Sequence, residues 1–207
     1  MAPPVILLAP GAGQPSTSAW MRGWARRLGT LGQVFTFDYP YMLAGRRRPD
    51  RLPVLVEAHR TALAAARAGR PGPVVLAGKS MGSRIGCHLA ADEPAVRALL
   101  CLGYPLVGRS GAVREEALLA LRTPVLFVQG TRDPLCPLDR LEAIRRRMAA
   151  PNELHLVEGG DHSLLVTRGR LAAAGETQDQ VDGRALGAIR SFLERHLGEV
   201  PDLTPPP

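Results

Sequence analysis

The chain has 207 residues, of which 45% are hydrophobic and 22% are charged, values typical of a globular protein with room for one domain and a full core. Its net charge is +7, but the basic residues are spread along the chain and only 4% of residues are aromatic, which leaves little surface for stacking on bases. We therefore predict no nucleic-acid partner, and no apolar run is long enough to predict a membrane partner.

Segments typical of strands and of helices alternate along the first half of the chain. Uninterrupted apolar runs predict the strands, and glycines such as Gly69 mark the ends of helices. In chain order we predict a strand over residues 5–9, a helix over 19–28, a strand over 34–37, a helix over 55–68, a strand over 74–77 and a helix from 81 to about 91.

The same alternation continues in the second half. We predict a strand over residues 96–102, a connection over 103–121 that is partly helical from 114, a strand over 125–128, a helix over 138–148, a strand over 154–157 and a helix over 183–197. Apolar strands that alternate with helices indicate an α/β fold, a parallel sheet covered on both faces. We interpret residues 1–200 as a single domain and the proline-rich residues 201–207 as a disordered tail.

Cysteine usage and the N-terminal sequence indicate the compartment. The chain has three cysteines, Cys87, Cys101 and Cys136, too few and too scattered for a disulfide framework or a paired metal site. The first residues enter a strand-like run at once and lack the basic region of a signal peptide. We therefore expect a cytoplasmic protein without a metal.

The most informative segment is Gly78-Lys79-Ser80-Met81-Gly82, which joins a predicted strand to a predicted helix. A serine with a glycine two positions away on each side, at such a turn, is typical of the nucleophile elbow of a serine hydrolase. The turn is so tight that the serine is strained and side chains two positions away would collide with it. The elbow holds the hydroxyl clear of the sheet at the positive end of the helix, so we predict Ser80 as a nucleophile. Considered alone, a serine before a helix is as often an N-cap.

Two further side chains follow later strands in the order that this chemistry requires. A serine hydroxyl becomes a strong nucleophile when an adjacent base takes its proton, and the base needs an orienting carboxylate. Asp133 follows the predicted strand 125–128, and His162 follows the predicted strand 154–157. Because ligand sites lie beyond the carboxyl ends of parallel strands, we predict that His162 acts as general base and Asp133 as its orienting acid.

Each of these assignments has an alternative. Asp133 precedes a proline and, by itself, is more often a turn former. Asp161 competes for the orienting role, although it is adjacent to His162 and adjacent loop side chains rarely face each other. Asp139 is also near, but we place it in the first turn of a helix, where its charge favours the helix dipole. The other histidines are interpreted as structural or surface residues: His59, His88, His155 and His196.

Acyl transfer also requires hydrogen-bond donors aimed at the developing oxyanion. One predicted donor is the backbone N–H of Met81, the residue after the nucleophile. The other is predicted in the glycine turn after the first strand, Pro10-Gly11-Ala12-Gly13. Ala12 is the preferred donor in this turn, and Gly11 and Gly13 are alternatives.

The triplet Gly78-Lys79-Ser80 also ends the phosphate-binding loop of nucleotide-binding proteins. That loop requires a glycine at position 73, where this chain has Pro73, and residues 74–77 are predicted as strand. We therefore reject a phosphate-binding loop.

Two basic features flank the predicted site. Lys79 either adds positive potential beside the nucleophile or reaches solvent, and we favour solvent. The run Arg46-Arg47-Arg48 follows the second predicted strand and is a candidate for receiving an anionic group of a substrate. A solvated loop is the preferred interpretation of that run.

With these residues assigned, the chain resembles the α/β-hydrolase superfamily over about residues 4–198. The resemblance is carried by residues 78–84, by Gly103-Tyr104-Pro105-Leu106, by residues 124–133 and by Gly160-Asp161-His162-Ser163. These segments are similar to a family of small hydrolases related to the testis-expressed hydrolase-like protein and to the third subunit of the NSL histone-acetyltransferase complex. They are also similar to dienelactone hydrolases, which carry cysteine where this chain has Ser80, a departure that argues against a dienelactone substrate.

The resemblance implies about six mostly parallel strands with helices on both faces and no large cap, residues 103–121 being the only room for a lid. The elbow, the ordered partners and the glycine turn predict a serine hydrolase that cleaves an ester or thioester, with a small-molecule acyl substrate and no cofactor. Candidate substrate-contacting residues are Gly11, Gly13, Lys79 and Tyr104. The alternative is a non-catalytic interaction module that kept the fold, and a protein partner cannot be inferred from the sequence.

Overall fold

The four central strands of the sheet consist almost entirely of buried apolar residues, because helices cover both of their faces and a strand flanks each on either side. The computed structural model describes residues 2–108 and 111–203, which contain one six-stranded parallel sheet in the order β2-β1-β3-β4-β5-β6. The strands are β1 (Val5–Ala9), β2 (Gln33–Thr36), β3 (Val74–Lys79), β4 (Val96–Leu102), β5 (Val125–Gly130) and β6 (Asn152–Val157).

Helices fill the connections between the strands. They are α1 (Ala19–Leu28), α2 (Pro40–Leu43), α3 (Leu52–Arg67), α4 (Met81–Asp92), α5 (Glu116–Ala120), α6 (Leu138–Arg145), α7 (Arg168–Ala174) and α8 (Gln178–Leu197). Within the described residues, no helix combines the length and the apolar character needed to cross a bilayer.

The two faces of the sheet carry two separate parts of the core, since successive strand residues point to opposite sides. Ile6 and Leu8 of β1 face α1 and α8, where Trp24 and Phe192 are buried. Leu7 of β1 faces the other layer, where buried residues of α3, α4, α5 and α6 pack. This arrangement confirms the predicted α/β fold and its helices on both faces.

The boundaries of several elements differ from the prediction for identifiable reasons. Helix α3 begins at Leu52 rather than residue 55, because a proline is well tolerated in the first turn of a helix. Helix α8 begins at Gln178 rather than residue 183, because Thr177 and Gln180 form a reciprocal capping box. The short helices α2 and α7 were not predicted, since neither is long enough to show helical periodicity.

The end of the described chain lies against the first helical layer. The N–H of Leu203 donates to the carbonyl of Thr30 at 2.9 Å, and Val200 is buried. Residues 204–207 of the predicted tail lie outside the described residues, and the disorder of this tail stays a prediction.

Candidate active site

Ser80 occupies a strained turn between β3 and α4. Its φ of 50° and ψ of −116° lie outside the regions that L-residues ordinarily adopt. The turn is held on both sides of the residue, since the N–H of Ser80 donates to Leu102 and its carbonyl accepts from the N–H groups of Ser83 and Arg84. Backbone bonds from β4 and α4 thus fix the orientation of the Ser80 hydroxyl.

The two flanking glycines are required by the close approach of neighbouring backbone. A Cβ on Gly78 would lie 2.3 Å from the nitrogen of Ser83, and one on Gly82 would lie 2.5 Å from the carbonyl oxygen of Ala9. Side chains at these positions would collide, as predicted, but with neighbouring backbone rather than with Ser80 itself. The collision involves the start of α4 at Gly78 but strand β1 at Gly82, so Gly82 also sets how closely α4 approaches the sheet.

Ser80, His162 and Asp133 form one line of hydrogen bonds at the carboxyl edge of the sheet. Oγ of Ser80 lies 2.7 Å from Nε2 of His162, and Nδ1 of His162 lies 2.7 Å from Oδ2 of Asp133. A carboxylate only accepts, so Nδ1 carries the proton and Nε2 is free to accept from the hydroxyl. The imidazole is 23% exposed, so the site opens to solvent, whereas the carboxylate of Asp133 is fully buried.

The carboxylate of Asp133 is held by donors on both of its oxygens. The side-chain amide of Gln129 donates to Oδ2 at 2.5 Å, and the N–H of Leu135 donates to Oδ1 at 2.8 Å. Gln129 is itself fixed, because its carbonyl oxygen accepts from the N–H of Tyr104. Asp133 is thereby fixed in the position that orients His162.

The competing carboxylates, Asp161 and Asp139, lie in other arrangements. Oδ1 of Asp161 accepts from the N–H groups of Ser163 and Leu165, which closes the loop around His162. Asp139 lies in the first turn of α6, as expected. The structure therefore brings neither of them to the imidazole.

Lys79 does not reach solvent, and that expectation is wrong. The residue is 8% exposed, and its Nζ donates to Oγ of Ser163 at 2.8 Å while lying 4.5 Å from the ring centre of Trp20. The indole N–H of Trp20 donates to the carbonyl of Ser163, so two side chains hold the residue after His162. Burial lowers the pKa of Lys79 to about 8, with Asp161 and Asp133 opposing the shift.

The predicted oxyanion donors lie beside the elbow. Met81 is the first residue of α4, and the first N–H groups of a helix have no intrahelical acceptor. The glycine turn lies against Ser80, because a Cβ on Gly11 would lie 3.5 Å from Cβ of Ser80. Ala12 and Gly13 follow on the exposed surface, and the carbonyl of Ala12 accepts from the Tyr41 hydroxyl at 2.9 Å.

The proposed substrate contact of Tyr104 is also wrong. Its side chain has no exposed surface, because the ring packs edge-on against Phe127 and the hydroxyl donates to the carbonyl of Arg114. The run Arg46-Arg47-Arg48 is exposed, in agreement with a solvated loop. Cys136 is buried within the core behind Asp133.

The sequence analysis did not identify three residues that support the site, namely Gln129, Tyr41 and Ser163. Gln129 could have been found from the sequence, because it is a polar residue at the end of an otherwise apolar strand. Tyr41 and Ser163 gave no such signal, because their partners are 29 and 84 residues away in the chain. Only the folded arrangement assigns them to the site.

Comparison with known proteins identifies the family. The chain matches the family model described as "Alpha/beta hydrolase domain" over residues 2–194. The chain belongs to this family.

Solved structures show the same hydrolase fold at low identity. An alpha-beta serine hydrolase homologue from Coxiella burnetii is 21% identical, with a TM-score of 0.67 over 87% of this chain and 84% of that chain. The dienelactone hydrolase from Anabaena variabilis is 20% identical, with a TM-score of 0.69 over 95% and 88%. Est1E from Butyrivibrio proteoclasticus, solved with ferulic acid, is 16% identical, with a TM-score of 0.65 over 90% and 89%.

Proposed function

We propose that this α/β hydrolase is a serine hydrolase that cleaves an ester or thioester through an acyl-enzyme on Ser80. The observation that carries the proposal is the continuous hydrogen-bonded line from Ser80 through His162 to the buried Asp133. Both hydrogen bonds of His162, to Oγ of Ser80 and to Oδ2 of Asp133, already measure 2.7 Å, so no side chain has to move before reaction.

The first half of the reaction follows from this line. Oγ of Ser80 attacks the carbonyl carbon while its proton passes to Nε2 of His162. The imidazolium that forms is stabilised by Asp133, whose charge lies against Nδ1 and is shielded from water. When the tetrahedral intermediate collapses, the same proton leaves Nε2 for the departing alcohol or thiol, and the acyl group stays on Oγ.

The second half repeats these steps with water as the nucleophile. His162 takes a proton from water, the water oxygen attacks the acyl carbon, and Ser80 leaves with that proton while the acid is released. In both halves the oxyanion is placed at the N-terminus of α4, within the field of the helix dipole, where Met81 and Ala12 are the proposed donors.

A fluorophosphonate probe and a short p-nitrophenyl ester test the proposal. We expect wild-type protein to be labelled at Ser80 and to hydrolyse the ester, because only an activated serine attacks the phosphorus or the carbonyl. Ser80→Ala should abolish labelling and lower kcat by at least about a thousandfold. Mass spectrometry of the labelled peptide and initial rates provide the measurements.

A matched pair of histidine variants controls for general damage to the fold. His162→Gln should lose most of the activity, whereas His155→Gln changes a half-buried histidine of β6 and should retain it. Absence of labelling in folded wild-type protein would favour the non-catalytic interaction module instead.

Two finer assignments belong to the same proposal. We propose that the chain is related to the small hydrolases similar to the testis-expressed protein and the NSL subunit, on the motifs around Ser80 and His162. We also propose a cytoplasmic location, which is supported by three buried cysteines that are all free thiols.

A further inference from the structure

Two arginines, Arg84 and Arg114, have no part in the chemistry described above. Arg84 lies one helical turn after Ser80 on α4, and its N–H donates to the Ser80 carbonyl at 3.2 Å. Long side chains on a helix point back over the preceding turn, which directs the Arg84 guanidinium towards the catalytic edge. Arg114 lies on the segment that leaves this same edge after β4.

Neither guanidinium has a carboxylate partner within residues 2–108 and 111–203. Nε of Arg84 is buried and has no hydrogen-bond partner in that part of the chain. The guanidinium of Arg114 lies against Gly108, and its one hydrogen bond within the described residues is a long one of 3.5 Å, from Nη1 to the carbonyl of Pro105. Other arginines of this protein behave differently, since Arg145 and Arg195 each form ion pairs with glutamates.

The groups around Arg84 do not compensate its positive charge. Burial is the main cause that lowers the pKa of Arg84, and the positive charge of Arg114 lowers it further. The other groups that act on it include Tyr39 and Tyr104, whose pKa values are raised by burial, so both are neutral near pH 7. An arginine that is partly buried, has no partner for its buried Nε and lies in the field of a second cation is unfavourable, and an anion would supply the missing partner.

We propose that Arg84 and Arg114 together bind an oxyanion, a carboxylate or a phosphate group, that is part of the substrate. The substrates of the hydrolase are then esters or thioesters that carry an anionic substituent. Guanidinium groups bind both oxyanions through paired N–H donors, and Nε of Arg84 is a donor of the kind that such pairs use. The assignment to substrate rests on the proposed function, whereas the anion site itself does not.

Esterase kinetics with two p-nitrophenyl esters test the substrate class. The monoester of adipic acid carries a carboxylate, and the hexanoate ester has the same number of carbons without the charge. Wild-type protein should prefer the adipate ester in kcat/KM. The ratio of the two kcat/KM values should fall by about tenfold or more in Arg84→Gln and in Arg114→Gln, because a charge-assisted hydrogen bond is lost.

Arg47→Gln is the matched control, since it removes one charge from an exposed loop at the same edge. It should leave the ratio unchanged, and Arg84→Gln should melt at the wild-type temperature or above, because a partly buried cation with no carboxylate partner has been removed. Equal kcat/KM for the two esters in wild type, or an equal fall of the ratio in Arg47→Gln, would overturn the proposal. If Arg84→Gln does not fold, Arg114→Gln tests the same site from outside α4.

Calorimetric titration of Ser80→Ala with adipate and with inorganic phosphate separates the anion site from catalysis. Binding of adipate alone assigns a carboxylate, and binding of phosphate alone assigns a phosphate group. In either case the binding should be lost when Arg84→Gln is added. If wild type hydrolyses neither ester but an anion still binds through Arg84, the hydrolase function fails and the anion site stands. Binding of neither anion overturns the site.

Discussion

At the scale of single residues, the strain in Ser80 is balanced by its neighbours. A non-glycine residue in this conformation costs roughly 1–3 kcal/mol and persists only where surrounding structure imposes it. Here Leu102, Ser83 and Arg84 bond to both sides of the residue. The orientation of the Ser80 hydroxyl therefore depends on β4 and α4 as much as on Ser80 itself.

Lys79 is the residue whose surroundings differ most from those inferred from the sequence. It lies between Trp20 and Ser163 rather than in solvent, and it donates a hydrogen bond beside His162. A buried ammonium loses hydration, which is why its pKa falls from 10.5 to about 8. The residue thus holds the His162 loop at a cost in stability.

Lys79→Met should stabilise the protein at pH 7 and do so less at higher pH. Between about pH 8 and 10.5 the unfolded chain holds a proton that the folded protein has lost, so wild-type stability rises with pH in this window. At pH 7 the charged lysine destabilises the fold by on the order of 3 kcal/mol, less about 1 kcal/mol for its hydrogen bond. The advantage of Lys79→Met should shrink by about 1.4 kcal/mol at pH 9.

Urea unfolding of both proteins at pH 7 and pH 9 measures this difference. Arg47→Met is a suitable control, because its exposed side chain carries no burial penalty and its effect should not depend on pH. A stability difference between Lys79→Met and wild type that is the same at both pH values would show that burial does not perturb Lys79.

At the scale of elements, the short helix α2 connects the glycine turn to the elbow. Tyr41 is buried in a cluster that also contains Met81, the first residue of α4. Its hydroxyl reaches out of this cluster to the carbonyl of Ala12 at 2.9 Å. Helix α2 therefore fixes the peptide between Ala12 and Gly13 relative to α4, although it is only four residues long.

Tyr41→Phe should lower kcat by about tenfold through the loss of this one hydrogen bond. The glycine turn then loses the contact that orients Ala12, and oxyanion stabilisation is sensitive to small displacements. KM should change little, because the bond acts on the transition state rather than on bound substrate. Steady-state kinetics with a p-nitrophenyl ester provide the measurement.

Tyr39→Phe is the matched control in the same cluster. The hydroxyl of Tyr39 contacts Nδ1 of His59 instead of the glycine turn, so its removal should leave kcat near the wild-type value. A comparable fall of kcat in both variants would indicate loosening of the whole cluster rather than a specific effect on Ala12.

At the scale of the whole molecule, the parallel sheet explains why distant segments meet. Strands β3, β5 and β6 all end at one edge, and the loops that follow them carry Ser80, Asp133 and His162. The layer of α3 and α4 that covers one face contains a fully buried histidine, His59, whose Nε2 has no partner among the described residues. This layer is therefore sensitive to acid.

The stability of the protein should fall below pH 6.5 because of His59. Burial lowers its pKa from 6.5 to about 3, so between these values the unfolded chain binds a proton that the folded protein does not. Stability due to neutral His59 is present above pH 6.5 and is lost as the pH falls towards 3. From pH 7 to pH 5 wild type should lose about 2 kcal/mol relative to His59→Gln.

Chemical unfolding of the two proteins at both pH values checks this prediction. The other histidines are the same in both, so the change in the difference isolates His59. Parallel pH dependence of wild type and His59→Gln would mean that the histidine is not neutral in the fold.

The sequence alone predicted the α/β architecture and the three residues that meet at its edge. Apolar runs and glycine turns act locally, and the order of strands and helices leaves few ways to place the loops after β3, β5 and β6. It was wrong about Lys79 and Tyr104, since neighbouring residues in sequence do not reveal how deeply a side chain is covered.

The amino-acid sequence by itself determined which segments form the sheet and which polar residues end its strands. Only the tertiary structure decided that Lys79 is buried against Trp20, that Tyr41 holds Ala12 and that Arg84 has no anionic partner in the described part of the chain. Patterns of strands and turns are set by neighbours within a few residues, whereas burial and hydrogen bonding depend on partners that folding brings from far along the chain.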